Sequence, residues 1–264
     1  MKQLKLMVLT LTLLMGTMFT SCMDSGESGP QQWAGVVKVN DRMGYVTFTD
    51  AAGTELIPTN TINFECRMAY IYCQVDEGQD LSTNPKSIKI TLLADPTGID
   101  ATAITTPKVE SSDVTTNAPV GSLSFASGYS TVAPFQFSEN TIVLPVLYRV
   151  KNVTTTEDIK NELAKHTFTL VCYTDDIKSG DTILKLYLRY KVEDEPAAIA
   201  ERATRTSSFK AYEISQILRE YTLKSGQTKP AKITIVAQQN EYNNKLEDTS
   251  TIEKVYEIEY KTAE

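Results

Sequence analysis

Between residues 33 and 95 the chain alternates apolar and polar positions in short runs, and every run stops at a turn signal. A period of two sends successive side chains to opposite faces of a strand, so each run buries one face. Trp33 opens a strand over 33–39, halted by Asn40 and Asp41. Over 44–49, Tyr45, Thr47 and Thr49 alternate with Val46 and Phe48; Asp50 and Gly53 turn the chain, and 54–57 returns it as a hairpin. Over 68–75, Met68, Tyr70 and Tyr72 alternate with Ala69, Ile71 and Cys73, and a further strand covers 87–93. Short strands at this density, with no helix among them, imply a small closed or nearly closed β-barrel.

Residues 95–120 hold three prolines and many Thr and Ser with little periodicity, which places a domain boundary there. The expected domains are 33–110 and 111–264. In the second, 141–150 reads as a strand whose Pro145 has no N–H to give and belongs on an edge or at a bulge. Thr154 and Glu157 fit a capping box for a short helix ending near Lys165, with Ile159 and Leu163 four apart on one face. Residues 166–173 and 182–192 form a hairpin about a turn at 175–180. A loop helix fits 197–202, and 208–213 alternates. The stretch 214–221 reads as a helical turn or as more strand. Residues 231–238 and 251–260 form a closing hairpin. Long hairpins with few helices suggest a β-sandwich. The expected fold class is all-β: a small barrel followed by a β-sandwich, with one or two short helices.

The first residues set the compartment. Lys2 and Lys5 precede an apolar run over 6–19, shorter than the ~20 residues a spanning helix needs, which fits a secretory signal. Phe19-Thr20-Ser21-Cys22 resembles a bacterial lipobox, so 1–21 is the expected signal peptide and Cys22 the expected lipidation site. The membrane is then a partner through the N-terminal lipid, and stable anchoring takes at least two acyl chains. Residues 22–32, rich in Ser, Gly and acids, read as a flexible tether. Asp24 and Glu27, just after the Cys, resemble the surface-export signal of Bacteroidetes lipoproteins. The expected location is the outer membrane, facing periplasm or cell surface.

A net charge of -7 argues against nucleic acid, whose phosphates demand a basic patch. Apart from Cys22 the cysteines are Cys66, Cys73 and Cys172, an odd number, so at least one thiol is free. Cys66 and Cys73 are seven apart and would meet only if the chain turned between them; the reading as small buried hydrophobes is preferred. His166 is the only histidine and stands ahead of an apolar strand, which fits a structural role. No Gly-x-Ser-x-Gly elbow is present. Asp175, Asp176 and Asp181 offer oxygen ligands on a turn, but their spacing matches no EF-hand loop. Neither a metal site, a cofactor nor an enzymatic activity is expected. Asp181-Thr182-Ile183 resembles the Bacteroidetes O-glycosylation site, which makes Thr182 a candidate for modification.

Taken together, the lipobox, Gly44-Tyr45-Val46-Thr47-Phe48, the run 53–60, Arg67 ahead of the Tyr72 strand, 166–170, 184–190, 209–214 and 256–261 resemble the NigD-like lipoproteins of Bacteroidetes. The resemblance implies an N-terminal oligonucleotide/oligosaccharide-binding (OB) type barrel and a C-terminal β-sandwich. Tyr45, Tyr70 and Tyr72 on an OB-like face are candidates for stacking on sugar rings. The expected function is a non-catalytic binding or structural role in the cell envelope, with an envelope glycan or protein as partner. The alternatives are a carbohydrate-binding surface module and, since the family takes its name from a bacteriocin gene cluster, a bacteriocin immunity factor.

Overall fold

The computed structural model describes residues 31–42, 45–60, 62, 64–79, 81, 85–107, 114–127 and 130–262. The expected export signal, Cys22, the expected tether up to residue 30, and Gly44 lie outside the described residues. The chain divides into two compact units: up to Ala101 with Ala126–Val132, and Thr102–Phe125 with Ala133–Glu264. The passage falls at Ala101–Thr102 because the next residues already belong to the second unit's hydrogen bonding. The Thr105 N–H donates to the Leu170 carbonyl, and the Cys172 N–H donates to the Thr105 carbonyl, both at 2.9 Å.

The first unit contains β1 (Gln32–Arg42), β2 (Tyr45–Thr49), β3 (Glu55–Pro58), β4 (Met68–Val75), β5 (Ser87–Leu92) and β6 (Thr97–Ile99). The order β1-β2-β3-β5-β4 closes through a β1–β4 pairing, and β6 is added beside β4. Strand β1 closes the barrel because it serves two neighbours in turn. Gln32 to Lys38 pairs with β4, Lys38 to Arg42 pairs with β2, and Lys38 itself faces both Thr49 and Met68. Strands β3 and β5 run parallel. This is the five-stranded Greek-key barrel of OB type. The alternation read from sequence fills it: Val46 and Phe48, then Ala69, Ile71 and Cys73, then Ile88, Ile90 and Leu92, packed with Trp33, Val37 and Leu56. The β2–β3 turn is held by Asp50, whose Oδ1 accepts the N–H groups of Ala52 and Thr54, each at 2.9 Å, while Gly53 takes the positive φ of 86° the turn needs.

After β6 in the chain come β7 (Ala101–Ala103), the two-stranded β8 (Phe125–Ser127) and β9 (Ser130–Val132), which fall almost wholly in the first unit's Ala126–Val132, then β10 (Phe135–Ser138), β11 (Thr141–Val150), α1 (Thr156–Ala164), β12 (His166–Val171), β13 (Ile183–Val192), α2 (Pro196–Ala200), β14 (Thr204–Glu213), α3 (Ser215–Ser225), β15 (Lys232–Gln239) and β16 (Ile252–Glu259). Two four-stranded sheets, β10-β11-β14-β7 and β12-β13-β15-β16, form a sandwich. Their facing side chains make one buried cluster: Ile142, Leu144, Val146, Tyr148 and Tyr212 from the first, Leu184, Leu186, Leu188, Ile233 and Ile235 from the second. Pro145 sits in β11 where a second neighbour is missing, since β10 pairs only as far as Val143 and the Ser122 bridge comes at Leu147. Strands β13 and β15 pair parallel, a crossover not visible in the sequence pattern.

Two local expectations shift. The α1 cap is Thr155 rather than Thr154: its Oγ1 accepts the Asp158 N–H at 3.1 Å and donates to Asp158 Oδ2 at 2.6 Å. Asp158 is the acid three residues on from Thr155, so the box moves one place along the threonine run. Of the two readings open for 214–221 the helical one holds: Ile214 is the N-cap of α3, which Gly226 ends with φ 76°. The thiols of Cys66, Cys73 and Cys172 are all free, the first half-buried and the others buried.

Candidate functional site

Strand β13 carries the site. Its inward row, Leu184, Leu186, Leu188 and Tyr190, belongs to the sandwich core, so Ile183, Lys185, Tyr187 and Arg189 face outward. The chain reaches β13 from β12 through Tyr173, a 3₁₀ turn at Thr174–Asp176, and Gly180 with φ 89°. Between this connection and the outer face of the sheet lies a groove of about 520 Å³. It is lined by Tyr173, Asp176, Ile177, Gly180, Asp181, Thr182, Ile183, Lys185, Tyr187 and Thr234.

The aromatic wall is built by register. Tyr173 and Tyr187 meet edge to face, ring centres 5.2 Å apart. Arg189 lies over both rings, at 5.8 and 5.1 Å, and its Nη2 donates to the Tyr173 hydroxyl at 3.1 Å. The Lys185 ammonium lies 5.0 Å from the centre of the Tyr187 ring. Cation–ring contacts of this kind contribute ~0.5–1 kcal/mol each at exposed sites and hold the rings in place.

The other wall is braced by α3. The Gly180 N–H donates to the Ser225 carbonyl at 2.8 Å, the Tyr221 hydroxyl to the Asp181 carbonyl, and Lys224 Nζ to Thr174 O and Asp175 Oδ1 at 2.8 and 2.9 Å. Asp181 Oδ2 accepts the Lys178 N–H at 2.7 Å. Asp175 and Asp181 are therefore engaged in shaping the loop. Among the described residues no group of three His, Cys, Asp or Glu is placed to hold a metal. Thr182 is exposed at the base of β13, beside the groove.

Sequence reasoning singled out Asp176, Asp181 and Thr182 but missed Tyr173, Lys185, Tyr187 and Arg189 as a set. The signal was present in the outward row of β13; what it lacked was the partner, Tyr173, which only the loop geometry supplies. Of the stacking candidates on the barrel, Tyr45 is 53% and Tyr72 37% exposed, while Tyr70 is half-buried. Tyr70 and Tyr72 are neighbours on one face of β4, opposite Val36 and Ala34 of β1. Tyr45 pairs with Arg42, at the far end of β1, roughly 25 Å along the strand from Ala34. The three do not form one platform.

A second cluster of chemically capable groups, mostly buried, lies where α1 and α2 meet β12 and β13. Arg202, 1% exposed, donates from Nε to Glu162 Oε1 at 2.7 Å, and from Nη2 to Glu162 Oε2 at 3.2 Å and Asp194 Oδ2 at 3.0 Å. Its Nη1 reaches the Ala198 carbonyl at 2.9 Å. His166 places Nδ1 2.6 Å from the Tyr190 hydroxyl and Nε2 3.3 Å from Glu162 Oε1. Burial raises the Glu162 carboxyl, but the bonds from Arg202, the Lys151 N–H and His166 outweigh it and bring it down to about 2. Burial holds His166 below its ordinary value, against the pull of Glu162. The cluster ties α1, α2, β12 and β13 together.

The chain is similar to a protein of Bacteroides fragilis NCTC 9343, described as a "Putative lipoprotein", whose crystal structure is known. The two are 93% identical over 89% of this chain and all of that one, with a TM-score of 0.81. This chain belongs to that Bacteroides lipoprotein family. The lipoprotein is also similar in fold to a protein of unknown function, DUF1344, from Bacteroides vulgatus ATCC 8482, at 12% identity over 87% of this chain and 91% of that one, TM-score 0.54. No protein-family model and no curated protein matches the lipoprotein. Its family makes it a membrane-anchored protein of the cell envelope.

Proposed function

We propose that this lipoprotein is a non-catalytic binding protein of the outer membrane, anchored through lipid on Cys22, and that its groove takes a carbohydrate. One observation carries the reading: Tyr173 and Tyr187 stand fixed against each other at the wall of a groove whose floor is a packed sheet. Sugar rings offer apolar C–H faces to aromatic rings, and their hydroxyls both donate and accept. Asp176, Thr182 and Lys185 line the same groove and supply partners of both kinds. The volume lies in the range of small-molecule sites, ~300–1,000 Å³.

The non-catalytic part of the reading is supported by where the acid–base groups stand. His166, Glu162 and Tyr190 are closed inside the sandwich and partnered with one another. The NigD-like assignment is supported by the order of the two units, barrel then sandwich. Thr182 has the exposure that O-glycosylation requires, and a glycan there would stand at the mouth of the groove.

Affinity electrophoresis of the detergent-solubilised, full-length lipoprotein through polysaccharide-containing gels tests the binding. At least one polysaccharide retards the wild type. Tyr187→Ala weakens that binding about tenfold, the equivalent of ~1–1.5 kcal/mol for one aromatic contact. Free migration in every gel, or equal retardation of the variant, would sink the reading.

A further inference from the structure

Strands β11 and β14 pair along their whole length, and near one end Arg149 stands directly opposite Arg205. Side chains so placed have Cβ atoms about 5 Å apart, and like charges there repel. Among the described residues no carboxylate lies within ion-pair distance of either guanidinium. Both groups donate instead to one neutral acceptor, the backbone carbonyl of Glu241: Nη2 of Arg149, and Nη2 of Arg205 at 2.7 Å. The Glu241 carboxylate is turned to Gln239, whose Nε2 donates to it at 3.0 Å.

Arg149 is only 6% exposed, and its Nε has no hydrogen-bond partner. Burial first, and Arg205 second, hold its pKa below the ordinary arginine value. A buried charge without a counter-charge is among the costliest groups a fold can keep, and an unsatisfied buried donor calls for an occupant. The loop carrying the shared carbonyl is set in place beforehand: Asn240 Oδ1 accepts the N–H of Tyr242 at 2.9 Å and that of Asn243 at 3.0 Å. Two guanidinium groups thus converge on a fixed point that offers only the partial charge of a carbonyl.

The charge count selects the ligand. A carboxylate would cancel one of the two positive charges. A phosphate brings about −1.5 to −2 and three acceptor oxygens, which matches two arginines in charge and in donors. We propose that Arg149 and Arg205 form a phosphate-binding site at this end of the sandwich, with exposed Arg205 as its entrance. The ligand is a phosphate group, free or carried as a monoester on a sugar. The site shares no lining residue with the Tyr173–Tyr187 groove and stands or falls independently of it.

Equilibrium dialysis of the full-length lipoprotein in detergent against radiolabelled inorganic phosphate, at an ionic strength fixed with chloride, tests the site. Saturable binding of one phosphate per chain is expected. Arg205→Gln, a change at an exposed position whose folding circular dichroism verifies, weakens it by about tenfold to a hundredfold. Competition by a hexose phosphate as strong as by inorganic phosphate identifies a phosphorylated sugar as a ligand. Competition by inorganic phosphate alone identifies the free ion, and either result upholds the site. Absence of saturable phosphate binding, or unchanged affinity in Arg205→Gln, overturns the proposal.

Discussion

Arg202 shows what a single side chain contributes when it is charged and buried. Its guanidinium survives out of water because Glu162, Asp194 and the Ala198 carbonyl meet its N–H groups. Removing Glu162 leaves Arg202 only the partly exposed Asp194 as a counter-charge, and breaking a buried pair costs ~3–5 kcal/mol. Glu162→Gln is therefore expected to lower the urea midpoint strongly. The double change Glu162→Leu with Arg202→Met recovers much of the loss, because it removes both charges at once. The same residues set a pH response. The Glu162 carboxyl falls from 4.5 to about 2 on folding, so its contribution is complete above pH 4.5 and disappears as pH falls toward 2. His166 is held below 6.5, so the unfolded chain takes up that proton first and stability starts to fall below pH 6.5. Both slopes have one sign. Urea midpoints measured against pH should decline on acidification, with the lower limb flattened in Glu162→Gln; a midpoint that holds or rises on acidification contradicts the assignment.

At the scale of elements, α1 is held by its start and its single buried acid rather than by an apolar stripe. Ile159 and Leu163, four apart as read from sequence, are both exposed, and Glu162 is the residue the helix buries. Thr155→Ala is expected to cost ~1 kcal/mol and to speed hydrogen exchange of the first α1 amides. Leu163→Lys should change stability by no more than ~0.5 kcal/mol, since it alters an exposed position. Equal losses from the two changes would mean that the outer face, not the cap, holds the helix. The strands were the most legible elements, because alternation and turn residues act between near neighbours: 68–75 and 87–93 appear as β4 and β5, and the 231–238 and 251–260 hairpin as β15 and β16. Legibility failed where two neighbours could serve equally well, as in the threonine run ahead of α1.

For the molecule as a whole, the three thiols of the folded part are free, and burial pushes Cys73 and Cys172 up to about 12. Dithiothreitol should leave Tm unchanged; a lower Tm under reduction would reveal a cross-link. Metabolic labelling with palmitate should mark the wild type and not Cys22→Ser, which should also leave the membrane fraction; labelling of the variant would place the lipid elsewhere. The amino-acid order by itself determined the longer strands, most turns and the all-β class, since each depends on residues a few places apart. Tertiary structure decided the rest. Closure of the barrel by β1 and β4, the parallel β3–β5 and β13–β15 pairs, and the meetings of Arg202 with Glu162, Tyr173 with Tyr187, and Arg149 with Arg205 all depend on the register of distant strands. Register between distant segments is set by how whole faces pack, and no short window of sequence contains both faces.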